Sequence, residues 1–142
     1  MANTVSAQLR MMILAFVAGV LAVLVFHQIA SSLINGRIQW NMTPLIAPFG
    51  IPQVINQAFW GGVWGIAFAW LAPRFPRGAF WWIAAIAFGA ILLPLVSWYV
   101  VPLIKGNPLG PRNSIANSMI INGAWGLGMG VFFKLLVGPS KH

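Results

Sequence analysis

Four long apolar runs, separated by short polar or proline-rich segments, set the pattern of the chain. They cover residues 11–35, 54–72, 79–101 and 115–137. Each has roughly the 20 mostly apolar residues that a helix needs to cross a hydrocarbon core about 30 Å thick. Pro73 and Pro102 follow the second and third runs, and Gly138 and Pro139 follow the fourth, as helix stop signals. The pattern predicts an all-α protein of four transmembrane helices in a single domain, residues 1–142.

Composition supports this prediction, because 60% of the residues are hydrophobic and only 6% are charged. Soluble domains carry about 25% charged residues, so this chain has too few polar groups to cover itself in water. A cleaved signal peptide is not expected at the N-terminus. The first apolar run is long for one, and Gln28 stands where a small residue is needed before the cleavage site.

The chain contains no Asp, Glu or Cys, and its formal net charge is +8. Carboxylate-dependent catalysis and thiolate chemistry are therefore excluded, and we expect neither an enzyme nor a resident metal or cofactor. The cations are scattered between the apolar runs, which argues against nucleic-acid binding. They are Arg10, Arg37, Arg74, Arg77, Lys105, Arg112, Lys134 and Lys141.

Orientation follows from the side on which these cations fall. With four spans, five lie on the side of the two termini and three on the other, so both termini are predicted to be cytoplasmic. The general build resembles that of small four-span bacterial inner-membrane proteins, which implies a multi-pass location in the inner membrane.

Two halves of the chain resemble one another. The residues from Pro44 to Pro52 resemble those from Pro102 to Pro111, and the same order of Asn, Trp-Gly and Gly follows each stretch. This match predicts two helix-loop-helix units, residues 1–73 and 79–138. Such units enter the membrane from the same side, unlike the inverted repeats of many transporters.

Small residues line one face of the second and the fourth helix. GxxxG spacing of this kind lets helix backbones approach closely in lipid. We therefore predict a packing role for the glycines, with contact to a flat ring or acyl chain as the alternative. They are Gly61, Gly62, Gly65, Gly126 and Gly130.

His27 is the one titratable residue other than Lys or Arg at depth within a predicted span, since Tyr99 falls near a span end. Such a residue marks a candidate functional site. A structural hydrogen bond is one interpretation. Axial binding of a haem or pigment and pH sensing are the alternatives. The proline-rich segment 36–53 that follows is interpreted as a connecting loop or as a re-entrant lining of a cavity.

Arg74, Arg77, Trp81 and Trp82 cluster around the turn between the second and third helices, on the same side as Lys134 and Lys141. A basic, aromatic-rimmed surface of this kind suits an anionic lipid headgroup. Ordinary anchoring of the spans explains the same residues.

Together these features predict a small non-catalytic membrane protein, an accessory, assembly or lipid-associated subunit of a membrane complex. Its expected partners are lipids and either other membrane subunits or further copies of itself. A small channel or transporter using His27, Gln28 and Asn122 is one alternative. A cofactor-binding subunit that uses His27 is the other.

Overall fold

The computed structural model describes residues 2–38, 40, 42, 45–46, 48–112 and 114–138. This part of the chain is mostly helical and forms four helices, which confirms the predicted number. Pro44, Pro139 and Lys141, named above, lie outside the described residues. Helix α1 comprises Ala2–Ala22, a π-helical turn Val23–His27 and Gln28–Asn35; α2 is Gln53–Leu71 with a 3₁₀ turn Ala72–Arg74; α3 is Ala79–Lys105; α4 is Ile115–Leu136.

Three of these helices, α1, α3 and α4, are long and apolar enough to cross a membrane. Helix α2 is not among them, since Gln53, Asn56 and Gln57 make its first two turns polar.

Helix α1 begins well before residue 11, where the sequence pattern placed its start. No glycine or proline interrupts the chain before Gly19, and the Ser6 hydroxyl donates to the Asn3 carbonyl oxygen at 3.1 Å. The 33 residues Asn3–Asn35 span about 50 Å at about 1.5 Å per residue. Residues 3–10 are all exposed, so this end of α1 lies outside the buried helix interfaces.

Helix α3 continues through Pro102, where the sequence analysis expected it to stop. Proline has no N–H with which to bond the carbonyl four residues earlier, that of Trp98. The Gly110 N–H, returning from the following loop, donates to the Trp98 carbonyl oxygen at 2.9 Å. π-helical turns at Phe88–Leu92 and Val96–Val100 flank Pro94, and the helix ends at Gly106, whose φ of 69° is left-handed.

The segment between α1 and α2 contains a short antiparallel hairpin, β1 (Leu45–Ile46) and β2 (Ile51–Pro52). Gly50, with φ 65°, supplies the left-handed residue of its turn. The hairpin lies within the proline-rich segment 36–53.

The helices meet along two seams of small residues. In the first, between α1 and α2, Gly61 faces the backbone of Gly19 and Gly65 faces the Ala15 carbonyl. The second joins α3 to α4, and there Gly126 faces the Ala85 carbonyl. Helix α1 also packs directly on α4.

Aromatic rings bridge α2 and α3. Phe68 is fully buried, and the rings of Phe75, Trp81, Phe88 and Phe133 surround it edge-on at centroid distances of 5.4–6.0 Å. These contacts fix the turn between α2 and α3 against the end of α4.

Large apolar side chains cover the outside of the molecule. Leu33 is 75% exposed, Leu103 69% and Phe80 66%, whereas the helix interfaces bury alanines completely or nearly so. The buried alanines include Ala15, Ala18, Ala22, Ala69 and Ala85.

Candidate functional site

A cleft of about 450 Å³ lies where α2 ends, α3 begins and α4 ends. We call it the basic cleft. The short turn between α2 and α3 forms one wall, and the last turn of α4 forms the other. Its lining residues are Ala72, Pro73, Phe75, Pro76, Arg77, Gly78, Trp81, Phe133, Lys134 and Gly138.

Lys134 is held at the basic cleft by two indole rings. Its Nζ lies 4.3 Å from the centroid of the Trp81 ring and 5.3 Å from that of Trp82. The two rings meet edge-on at 5.1 Å. Both distances are within the range in which the face of an aromatic ring attracts a cation. The ammonium group therefore has a defined position although the lysine side chain is exposed.

Gly130, one turn before Lys134, makes room for these rings. A Cβ at this position would lie 2.9 Å from Trp82 Cζ3 and 3.1 Å from Trp81 Cζ3. The predicted packing glycine thus faces indole rings and not a helix backbone.

Trp81 is fixed from below as well. Its Nε1–H donates to the Ala72 carbonyl oxygen at 3.3 Å, and its ring is buried against Phe68 and Phe75. The floor of the basic cleft is therefore part of the aromatic core. This arrangement holds the indole face in place beneath Lys134.

The four residues predicted to bind lipid occupy different positions. Arg77 and Trp81 line the basic cleft, and Trp82 contacts Lys134 from outside the lining. Arg74 Nη1 donates to the Trp70 carbonyl oxygen at 2.6 Å, so Arg74 caps the end of α2. Sequence reasoning placed Lys134 on this side of the protein, but not over the indoles.

Charge at the basic cleft is unbalanced by any side chain. Arg77 and Lys134 are both exposed and positive, and the whole sequence contains no Asp or Glu. Cations of this kind bond most strongly with carboxylate or phosphate oxygens. Any anion that binds at this site is therefore not an Asp or Glu side chain of this protein.

His27 lies in a polar cluster on α1. The Gln28 Nε2 is 3.2 Å from His27 Nδ1 and donates to Gln57 Oε1 at 2.9 Å, linking α1 to α2. Gln28 is only 2% exposed. One turn on, Asn35 Nδ2 donates to Ser31 Oγ at 3.2 Å. His27 Nδ1 thus faces an amide of its own helix.

The π-helical turn that ends at His27 changes the backbone bonding beside this cluster. The Gln28 N–H bonds to the carbonyls of Val23 and Val25, and Trp40 Nε1–H donates to the intervening Leu24 carbonyl oxygen at 3.1 Å. No pattern in the sequence indicated this contact between Trp40 and the backbone of α1. A π-turn has no residue pattern by which the sequence could have indicated it.

The small-residue strips are covered within the chain. Gly62 faces the Phe16 ring, and the Trp125 Nε1–H donates to the Gly19 carbonyl oxygen at 3.1 Å across the first seam. Asn122, a candidate polar contact for a solute, donates through Nδ2 to the Ser118 carbonyl oxygen of its own helix at 2.8 Å. Each of the five predicted packing glycines therefore faces other described residues of the chain and not an open groove.

No family model, curated protein or solved structure matches this chain. Its function must therefore be inferred from its own residues and their geometry.

Proposed function

We propose that the chain is a non-catalytic integral membrane protein of the bacterial inner membrane, a four-helix bundle that acts as a lipid-associated subunit. One observation carries this proposal. Large apolar side chains such as Leu33 and Leu103 face outward, while small residues form the helix seams. In water such a surface costs about 25 cal/mol per Å², whereas lipid tails receive it without this cost.

Helix α2 serves as the fourth span in this proposal. Its 19 residues measure about 28 Å, close to the thickness of a hydrocarbon core. Gln57, one of its polar residues, is hydrogen-bonded to Gln28 and so does not face lipid unsatisfied. Within the described residues, no buried side-chain nitrogen or oxygen lacks a partner, as a low-dielectric setting requires.

The glycine seams favour the lipid-associated role over docking through small-residue strips. Gly61, Gly65 and Gly126 are already in contact with backbone of the same chain. The side chains that remain on the outside are bulky and apolar, which suits contact with acyl chains.

We propose that the termini are cytoplasmic, because the majority of the cations lie on the same side as the termini.

Alkaline extraction of membranes from expressing cells tests the membrane assignment. We expect the intact chain to stay with the membranes, to float with them in a density gradient, and to be released only by detergent. Flotation separates insertion from simple aggregation. Recovery of a dispersed chain in buffer without detergent would contradict the proposal.

A further inference from the structure

We propose that the basic cleft binds the phosphate of an anionic lipid headgroup, with Lys134 and Arg77 as its cationic ligands. This inference rests on the proposed membrane function and adds a ligand class and a geometry to it. The argument starts from charge. Lys134 and Arg77 line one cleft, and no carboxylate side chain exists in the sequence to neutralise them. Phosphate oxygens accept hydrogen bonds from both kinds of cation.

The dimensions of the basic cleft suit a headgroup. Small-molecule sites commonly measure about 300 to 1,000 Å³, and the 450 Å³ here falls at the lower end. That volume accommodates a phosphate with a few attached atoms. It is too small for a whole lipid, whose tails must lie elsewhere.

Lys134 is positioned before any anion arrives. Gly130 admits the indoles of Trp81 and Trp82, and their ring faces hold the Lys134 ammonium at 4.3 and 5.3 Å. Prior ordering of a long, flexible side chain lowers the entropy cost of binding. An ammonium group has three N–H donors, and its attraction to the face of an indole ring is electrostatic. Its N–H groups can therefore still donate hydrogen bonds to a further acceptor.

The start of α3 adds to the positive character of the site. Gly78, the residue that precedes α3, lines the basic cleft, and no side chain caps the helix there. The first turn of α3 carries no acidic residue. A helix N-terminus presents backbone N–H groups and a partial positive charge, both of which favour a phosphate.

Apolar surface next to the cleft argues for a lipid and against free phosphate. Within one turn of the cleft-lining Trp81, Phe80 is 66% and Ile83 58% exposed. Beside Lys134, Leu135 is 73% exposed. A ligand that carries both a phosphate and hydrocarbon tails matches this juxtaposition of charge and apolar surface.

Lys134 also lies in the last turn of α4, where a cation stabilises the helix C-terminus. That purely structural role would affect folding stability and leave lipid discrimination unchanged. The test therefore measures affinity and stability separately.

The experiment titrates the purified full chain, in neutral detergent, with short-chain phosphatidylglycerol, short-chain phosphatidylcholine and inorganic phosphate, using calorimetry. We expect phosphatidylglycerol to bind at least about tenfold more tightly than the other two, equivalent to about 1.4 kcal/mol. Lys134→Gln and Arg77→Gln should each weaken its binding about tenfold. Lys134→Arg should retain most of it.

Lys105→Gln and Arg112→Gln are the matched controls, because these cations lie near the opposite ends of α3 and α4. Both should bind phosphatidylglycerol as the parent does, and melting curves without lipid identify any variant that is merely unfolded. Equal losses in Lys134→Gln and Lys105→Gln would overturn the site. Equal affinity for phosphatidylcholine or inorganic phosphate would overturn the anionic lipid as ligand. A chain that stays in membranes yet fails this test refutes the site alone, whereas release from membranes refutes the proposed function.

Discussion

Gly65 and Gly126 each lie where the carbonyl of a neighbouring helix leaves no space for a Cβ. Helix backbones that approach this closely gain dispersion contacts, which hold helices together where apolar burial gives no driving force. A single methyl group at either position must push two helices apart. These residues therefore control the separation of the helices.

Gly126→Ala should lower the free energy of unfolding by about 1–3 kcal/mol, the usual cost of overfilling a packed site. Gly123→Ala on the same helix is the matched control. Its Cβ would lie 3.3 Å from the Ala90 Cβ, a side-chain atom and not backbone. Both variants gain the same helix propensity, so thermal unfolding in detergent isolates the seam. Equal stability of the two variants would contradict the assignment.

Spacing in the sequence was sufficient to find these glycines, since steps of three and four place them on one helix face. It did not show what they face. Gly130 belongs to the same strip as Gly126, yet it packs against Trp82 and Trp81. The rotation of each helix about its axis decides this difference, and the sequence of one helix does not contain that information.

At the scale of elements, a hydrogen bond between the side-chain amides of Gln28 and Gln57 joins α1 to α2. Such bonds between helices in membranes contribute about 0.6 kcal/mol on average and up to about 1.7 kcal/mol. The bond lies next to the π-turn, where Trp40 completes the backbone bonding. The Gln28 amide and the Trp40 indole together hold this part of α1 in place.

A double-mutant cycle of Gln28→Leu and Gln57→Leu should give a coupling free energy of about 0.6–1.7 kcal/mol. The same cycle with Gln28→Leu and Asn117→Leu should give none, because Asn117 lies at the start of α4 and bonds through its N–H to Ser114 Oγ. Unfolding monitored by circular dichroism in detergent provides the four stabilities. Equal coupling free energies for the two pairs would show that the hydrogen bond between Gln28 and Gln57 does not join the helices.

Apolar runs predicted the four helices, but local rules misplaced two helix ends. Pro102 is a stop signal in isolation, and the helix passes through it because Gly110, eight residues later, supplies the missing donor to Trp98. That partner is set by the path of the loop. Likewise, the polar start of α1 gave no apolar signal, although it is helical from Ala2.

On the scale of the whole molecule, the proposed orientation places the two ends of α3 on opposite faces of the membrane. The chain contains no cysteine, so a single introduced cysteine reports its own position without background. Pro76→Cys and Asn107→Cys, at exposed positions before and after α3, should react with a membrane-impermeant maleimide from opposite sides of oriented vesicles. We expect Pro76→Cys to react from the cytoplasmic side.

Reaction of both cysteines from the same face would contradict the spanning of α3. The unmodified chain, which cannot react, is the control for labelling. Disruption of the vesicles should expose whichever cysteine was protected, and this confirms that each variant is reactive.

The basic cleft could be anticipated only in part. Arg77 and Trp81 are close in sequence, so their clustering was visible. Lys134 comes from a different helix, and its place over Trp81 depends on how α3 and α4 pack around Gly130. Sites assembled from separate helices require the fold, whereas sites built on one turn do not.

The exposed residues 3–10 extend α1 by about 12 Å of regular helix beyond the first apolar run. Small changes in the tilt of α1 therefore produce larger displacements at residues 3–10 than nearer the middle of the helix. A fluorophore attached near the start of α1 would change its distance from the bilayer whenever α1 tilts. That distance would therefore report the tilt of α1.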